Sequence, residues 1–175
     1  MHTSLLNVAG LNTGLLIGRL VLGLLMVGHG SQKLLGWFGG HGLAATGGFL
    51  ESLGFRPGLT FAVIASSTEI VSGLLVALGF LGPVGPALML SVMIVAAVTV
   101  HWRNGLFATS NGIELALLYG TAAVALALTG FGAYSLDALT GVDAYVTPGL
   151  SLAVLSVGAL GGIANLFARR QPVTA

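Results

Sequence analysis

Long apolar stretches run through this chain with almost no charge to interrupt them. Each is about the 20 residues that a helix needs to cross the hydrocarbon core of a bilayer. The 175 residues include only six Lys or Arg and five Asp or Glu. Soluble domains carry roughly 25% charged residues. The pattern therefore predicts an all-α membrane protein with the lipid bilayer around it, since helices satisfy their own backbone hydrogen bonds in lipid.

Five stretches are long enough to form membrane-spanning helices. They lie at residues 14–35, 58–80, 83–101, 112–130 and 148–168. A short turn containing Gly82 and Pro83 joins the second and third, which predicts an antiparallel hairpin. The longest connection, residues 36–57, contains the run LAATGGFLESLGF. Its apolar residues share one side of a helix, which indicates a short helix lying at the membrane interface.

The basic residues predict the orientation of the bundle. With five crossings, one side holds Lys33, Arg56, Arg103, Arg169 and Arg170. The loops of the opposite side hold acidic residues, Asp137 and Asp143, and no Lys or Arg. Because basic residues accumulate on the cytoplasmic side, we expect the N-terminus outside and the C-terminus in the cytoplasm.

Ionisable side chains within the predicted spans are the first candidates for function, because a charge at membrane depth is costly unless it is paired or wetted. Arg19 lies in the first stretch and Glu69 lies near the middle of the second. We expect them to form a buried ion pair, since a guanidinium and a carboxylate can satisfy each other's hydrogen bonds. Such a pair would either hold the helices in register or also set the electrostatics of a nearby site.

Four further ionisable residues are predicted near the cytoplasmic ends of the spans. His29 and Lys33 are four residues apart, which places them on one helix face. His101 and Glu114 bracket a short loop on the same side. Together they would form a pocket for a polar head group, with apolar helix faces around its tail. Lys33 and His101 have a simpler alternative as interface residues, and the absence of Glu-x-x-His spacing argues against a metal site.

Composition excludes several classes of function. The chain has no cysteine, which excludes disulfides, thiol redox relays and cysteine-ligated metal centres. A net charge of +1 gives no electrostatic basis for nucleic-acid binding. No flavin, haem or iron–sulfur motif is present, so we predict no intrinsic cofactor and assign no catalytic residue.

The glycine-rich run HGSQKLLGWFGG, residues 29–40, carries a family resemblance together with the preceding Gly18-Arg19-Leu20. Further matches are Phe49-Leu50, Ser52-Leu53-Gly54, Glu69, Gly73, His101, Asn104-Gly105 and Tyr134-Ser135-Leu136-Asp137. Over about residues 14–140 the chain resembles the DoxX family of small bacterial membrane proteins. The resemblance implies a four-helix transmembrane bundle within residues 1–140. Residues 141–175 would then add a fifth transmembrane helix and a basic cytoplasmic tail.

The same resemblance implies a protein of the bacterial inner membrane that acts in quinone-linked redox chemistry or in defence against quinones and oxidative stress. A quinone is then the ligand expected at the four-residue pocket. Soluble redox or stress enzymes are the partners expected on the cytoplasmic side. Two other functions stay open, a non-enzymatic anchor for such enzymes and a small transporter, and a homo-oligomer is open as well.

Overall fold

The structure is a computed structural model that describes residues 2–170, with side chains from Asn7 onward. The regular structure of this part is helical, as the sequence predicts. The helices are α1 (His2–Leu35), α2 (Gly42–Ser52), α3 (Gly58–Leu78), α4 (Val84–Ala96), α5 (Glu114–Thr129), α6 (Leu136–Thr140) and α7 (Pro148–Phe167). A π-helical turn, Ala97–His101, continues α4. Short 3-10 turns lie at Trp102–Asn104, Ala108–Ser110 and Val142–Tyr145.

Each of the five predicted apolar stretches contains one apolar α-helix. Within the described residues, α1, α3, α4 with its continuation, and α7 are long and apolar enough to cross a bilayer. α5 is apolar too but has only 16 residues. The chain is therefore a multi-pass, all-α membrane protein, and its class was predicted correctly.

Glycines set how α1 and α3 pack. A Cβ at Gly23 would overlap the backbone of Gly73, and a Cβ at Gly30 would overlap the Ser66 carbonyl oxygen. The contact thus moves backwards along α3 as it moves forwards along α1, so the two helices are antiparallel. Small residues let helix backbones approach this closely in lipid, where van der Waals packing drives helix association.

The last helix, α7, runs parallel to α4. A Cβ at Gly158 would overlap the backbone of Ala87, and one at Gly162 would lie 2.8 Å from the Ser91 carbonyl oxygen. From the first contact to the second, the residue number rises on both α7 and α4, so the two helices run in the same direction. Because two parallel helices need a return path between them, α5 carries the chain back across the bundle. This arrangement places the N-terminal end of α1 and the C-terminal end of α7 on opposite sides.

The buried core is small and lies where α1, α3, α4 and α5 meet. It is formed by Met26, Val76, Met89, Tyr119, Ala123, Leu126 and Phe131. A second cluster, Ala87, Ala127 and Leu155, joins α7 to α4 and α5. Many large apolar side chains instead point outward, among them Ile17, Leu24 and Leu160. An apolar outer surface of this kind suits helices that are surrounded by lipid.

Residues 36–57 contain the predicted short helix, α2, which packs on the start of α3 through Gly47; its place at the membrane interface stays a prediction. The end of α7 is tied to the connection between these two helices. Arg169 Nε donates to the Leu53 carbonyl oxygen at 2.9 Å, and the Arg170 backbone N–H donates to that of Gly54 at 2.8 Å. The fifth helix is thus bonded to the 36–57 segment. Residues 171–175 of the predicted basic tail lie outside the described residues.

Candidate functional site

The central charged contact of the bundle joins Lys33 and Glu69. Lys33 Nζ donates to Glu69 Oε1, and no other ion pair forms among the side chains that the structure describes, those of residues 7–170. Glu69 is 1% exposed, whereas the Lys33 side chain is 39% exposed. The pair therefore joins a fully buried carboxylate on α3 to an ammonium that lies closer to the surface at the end of α1.

The predicted pair of Arg19 with Glu69 was wrong, and the register of α1 and α3 explains why. In this register Lys33 lies within reach of Glu69, whereas Arg19 lies level with Ala77. Glu69 is eight residues from Ala77, about 12 Å along the helix axis. That distance is too long for a direct contact between the two charged groups.

Arg19 instead donates to two backbone carbonyl oxygens, one in the last turn of α3 and one in the segment before α6. Its Nη1 donates to Ala77 and its Nη2 donates to Tyr134. Ala77 lies in the last turn of α3, where carbonyl oxygens lack helical partners and where the helix dipole favours a cation. The buried guanidinium thus joins α1, α3 and the segment before α6, which is a structural role.

A second structural contact lies at the same end of the bundle. Asp137, which the sequence analysis placed in a loop, is buried. Its carboxylate accepts hydrogen bonds from the backbone N–H groups of Leu81, at 2.9 Å, and Gly82, at 2.7 Å. Asp137 therefore fixes the turn of the α3–α4 hairpin against α6.

A cavity of about 250 Å³ lies beside the Lys33–Glu69 pair. Side chains of α2, α3, α4 and α7 form most of its wall. The apolar part includes Phe49, Leu50, Phe55, Phe61, Ile64, Leu88, Val92 and Val95. The polar part is formed by Lys33, Thr46, Thr68, Glu69, Ser91, Thr99 and Asn165. We call this space the pair cavity.

Two residues in the apolar wall of the pair cavity also form part of the outer surface. Phe49 of α2 and Ile64 of α3 both line the cavity, and each is 49% exposed. Both side chains are apolar. A ligand with a polar ring and an apolar tail would therefore have an exit for its tail into lipid at this point.

Two oxygen atoms in the wall of the pair cavity have no hydrogen-bond partner within the described part of the chain. They are Glu69 Oε2 and Asn165 Oδ1, both inaccessible to solvent. A buried acceptor without a donor costs about 1–3 kcal/mol, and a charged one costs more. Because neither atom has surface that a water-sized probe can reach, a ligand in the cavity could contact them only if the surrounding side chains moved.

The predicted pocket comprised four residues, His29, Lys33, His101 and Glu114. In the structure these residues make separate contacts. Lys33 is the one member that lines the pair cavity. His29 packs edge-on against the Tyr119 ring of α5, with 5.8 Å between the ring centroids.

His101 and Glu114 both stabilise the connection between α4 and α5. His101 Nδ1 donates to the Asn111 carbonyl oxygen at 2.8 Å. Glu114 Oε2 accepts from the Ala108 backbone N–H at 2.7 Å. Among the described side chains no three His, Asp or Glu come together as a set of metal ligands.

Asn165 is the cavity residue that the sequence analysis missed. It lies in α7, within the apolar stretch 148–168, and it is the only Asn of that stretch. A polar side chain inside a membrane-spanning helix usually faces protein or a cavity. That rule, applied to amides as well as to charged residues, would have identified it.

Comparison with known proteins agrees with the resemblance in the sequence. The family model described as DoxX matches residues 14–102. This part contains most of α1 and all of α2, α3 and α4, and therefore both Lys33 and Glu69. No curated protein and no solved structure matches the chain significantly. The likeness noted between residues 103 and 140 lies beyond the match and stays a prediction.

Proposed function

The chain belongs to the DoxX family, and we propose that it binds a quinone-like head group in the pair cavity, in quinone-linked redox chemistry or quinone detoxification. The observation that supports the proposal is the composition of the cavity, an apolar wall with one ion pair in it whose carboxylate is buried. Small-molecule sites commonly combine apolar walls with a few polar groups that fix orientation.

The groups of the pair cavity suit a quinone ring. The Lys33 ammonium has three donors, of which Glu69 takes one, so others are free for a ring carbonyl oxygen. The Phe55 and Phe61 rings lie 5.1 Å apart in the apolar wall. A volume of about 250 Å³ is slightly below the usual size of ligand sites, about 300 to 1,000 Å³. It suits a head group whose tail lies outside.

This proposal moves the site away from three of the residues that the sequence suggested. His29, His101 and Glu114 do not line the pair cavity. Lys33 stays in the site, and Glu69 joins it as the buried partner. Soluble redox or stress enzymes remain proposed partners at the cytoplasmic face.

We also propose the bacterial inner membrane as the location, with the Lys33 end of the bundle facing the cytoplasm. Arg169 and Arg170, at the end of α7, are bonded to the segment between α2 and α3. Arg56, in that segment, is exposed. Basic residues therefore gather at one end of the bundle, which the positive-inside rule assigns to the cytoplasm.

The test is a binding titration of the full chain in lipid nanodiscs with a short-chain ubiquinone. The double variant Lys33→Met/Glu69→Gln removes both charges, which avoids stranding one of them. We expect at least about tenfold weaker binding, because a hydrogen bond to a charged group contributes about 1.5–3 kcal/mol. The matched variants His29→Ala and His101→Ala should bind as the wild type does.

Two results would contradict the proposal. If the wild-type chain binds no quinone, the anchor and transporter hypotheses take its place. If the double variant binds normally while His29→Ala or His101→Ala does not, the ligand occupies the pocket that was first predicted. Circular dichroism of each variant confirms that the helices are retained.

A further inference from the structure

Three arginines line one cavity at the end of the bundle where α4 and α7 end. Arg103 lies in the 3-10 turn after the π-helical continuation of α4, and Arg169 and Arg170 follow α7. The cavity has a volume of about 670 Å³, within the usual size of ligand sites, about 300 to 1,000 Å³. The rest of its wall includes Ser52, Thr99 and Leu166. We call this space the arginine cavity.

The positive charge of the arginine cavity is not cancelled by acidic side chains. None lines it in the part of the chain that the structure describes, and residues 171–175 contain no Asp or Glu. Glu51, next to the wall residue Ser52, accepts from the Gly58 backbone N–H at 3.0 Å. The ends of α4 and α7 each contribute about half a negative charge, which is less than three guanidinium groups supply. A bound anion would therefore relieve the repulsion among three like charges.

The guanidinium of Arg169 is held in place by the protein itself. Its Nε donates to the Leu53 carbonyl oxygen at 2.9 Å, and its central carbon lies 5.8 Å from the centre of the Phe55 ring. These contacts leave its two terminal NH2 groups available to an acceptor in the cavity. Because the side chain is already ordered, binding an anion costs less conformational entropy.

The arginine cavity lies at the depth of lipid head groups. α7 has 20 residues, and α4 with its continuation, Val84–Asn104, has 21. At 1.5 Å per residue each is about 30 Å long, which matches the hydrocarbon core of a bilayer. Since α4 and α7 run parallel, their C-terminal ends reach the same interface. The three arginines therefore lie where the phosphate groups of lipids lie.

We propose that the arginine cavity binds the phosphate group of an anionic phospholipid from the surrounding bilayer. Guanidinium groups donate to phosphate oxygens in pairs, and basic pockets between membrane-spanning helices bind anionic lipid head groups. A soluble phosphate compound has the same chemistry, but the depth of the cavity favours a lipid. Neither Lys33 nor Glu69 lines the arginine cavity, so this site does not depend on the proposed binding of a quinone.

The site belongs to the part of the chain beyond the family match. The match ends at residue 102, and all three arginines follow it. Arg169 and Arg170 come from the end of the fifth membrane-spanning stretch, which the four-helix pattern of the family does not include. A lipid bound here would join this last helix to the continuation of α4.

The experiment measures lipid binding to the full chain by native mass spectrometry in a neutral detergent. Phosphatidylglycerol and phosphatidylcholine with the same acyl chains are titrated separately, and the Kd of the first bound lipid is the readout. We expect phosphatidylglycerol to bind at least about tenfold more tightly, because each basic residue near an anionic lipid contributes about fivefold. Equal affinity for the two lipids overturns the proposal.

Matched variants distinguish a site from a diffuse attraction to positive charge. Arg103→Gln removes one charge from the cavity and breaks no ion pair with a described side chain. It should weaken the binding of phosphatidylglycerol about fivefold. Arg56→Gln removes one charge from an exposed residue at the same end of the bundle, outside the cavity, and should change the Kd about twofold or less. Equal losses in the two variants would overturn the site.

A further arm distinguishes a lipid from a soluble phosphate compound. Glycerol 3-phosphate is added to the complex of the chain with phosphatidylglycerol. We expect it to displace the lipid only at concentrations at least about a hundredfold above the Kd of the lipid, because it lacks acyl chains that pack on the apolar helices. If it binds as tightly as the lipid does, the cavity is a site for soluble phosphate compounds and the assignment to a lipid is wrong.

Discussion

Removing either member of the Lys33–Glu69 pair should have unequal effects on stability, because the two side chains differ in burial. Lys33→Met leaves the Glu69 carboxylate, 1% exposed, with neither oxygen bonded. Breaking a buried pair in this way costs about 3–5 kcal/mol. Glu69→Met leaves an ammonium whose side chain is 39% exposed, and Lys33 can extend to water at the helix end. That change should cost about 1 kcal/mol.

The double variant Lys33→Met/Glu69→Met should be close to the wild type, within about 1 kcal/mol, since replacing a buried pair by apolar residues is often neutral. The effects of the single variants are then far from additive. Arg19→Leu, combined with Glu69→Met, serves as the control. These two residues make no contact, so their effects should add within about 0.5 kcal/mol.

The assay is reversible unfolding in mixed micelles, followed by far-ultraviolet circular dichroism as the denaturing detergent is increased. The free energy of unfolding is compared among the wild type, the single variants and the double variants. Equal losses for Lys33→Met and Glu69→Met would refute the argument from burial. If the double variant loses as much free energy of unfolding as the two single variants together, Lys33 and Glu69 do not interact.

Other predictions concern packing and topology. Arg19→Leu should lower the free energy of unfolding by about 2–3 kcal/mol, since it removes charge-assisted hydrogen bonds; a loss below 0.5 kcal/mol would contradict the role of the guanidinium as a cap. Gly23→Ala should lower the free energy of unfolding by about 1–3 kcal/mol through overpacking. Gly14→Ala, where a Cβ meets nothing within 4 Å, should not lower it. Equal effects of the two variants would exclude the close contact of α1 with α3. A cysteine at Thr140 should be labelled from outside intact cells and one at Arg170 should not, and the reverse pattern would invert the orientation.

The sequence predicted the helices well because apolar length is a local property. The second and fifth stretches, predicted at 58–80 and 148–168, are the helices Gly58–Leu78 and Pro148–Phe167. The short helix α2 was also predicted, from the periodicity of its apolar residues. Each of these conclusions depends only on residues that are close together in the chain.

The partner of Glu69 could not be predicted in the same way. Arg19 and Lys33 both lie on α1, and the choice between them depends on how α1 and α3 are aligned. That alignment follows from the contacts of Gly23 and Gly30 with α3 and from the path of residues 36–57. Neither is a local property of the sequence.

The candidate site was therefore predicted only in part. Lys33 was assigned to it, but its partners were sought at the ends of α4 and α5, because depth in the membrane was the only available guide. His101 and Glu114 do lie at those ends, yet each is bonded to the connection that follows or precedes it. Asn165 was not predicted because it carries no charge, and charge within an apolar stretch was the feature that identified the other candidates.

Photoaffinity labelling tests the central claim, that a quinone-like head group binds beside Lys33 and Glu69, most directly. The full chain in nanodiscs is irradiated with a quinone that carries a photoreactive group on its ring, and the labelled peptides are identified by mass spectrometry. We predict labels in the wall of the pair cavity, on the α3 and α4 segments that contain Thr68 and Val92, and loss of labelling when excess unlabelled quinone is added. Labels confined to the connection at residues 102–113, or labelling that excess quinone does not reduce, would contradict the claim.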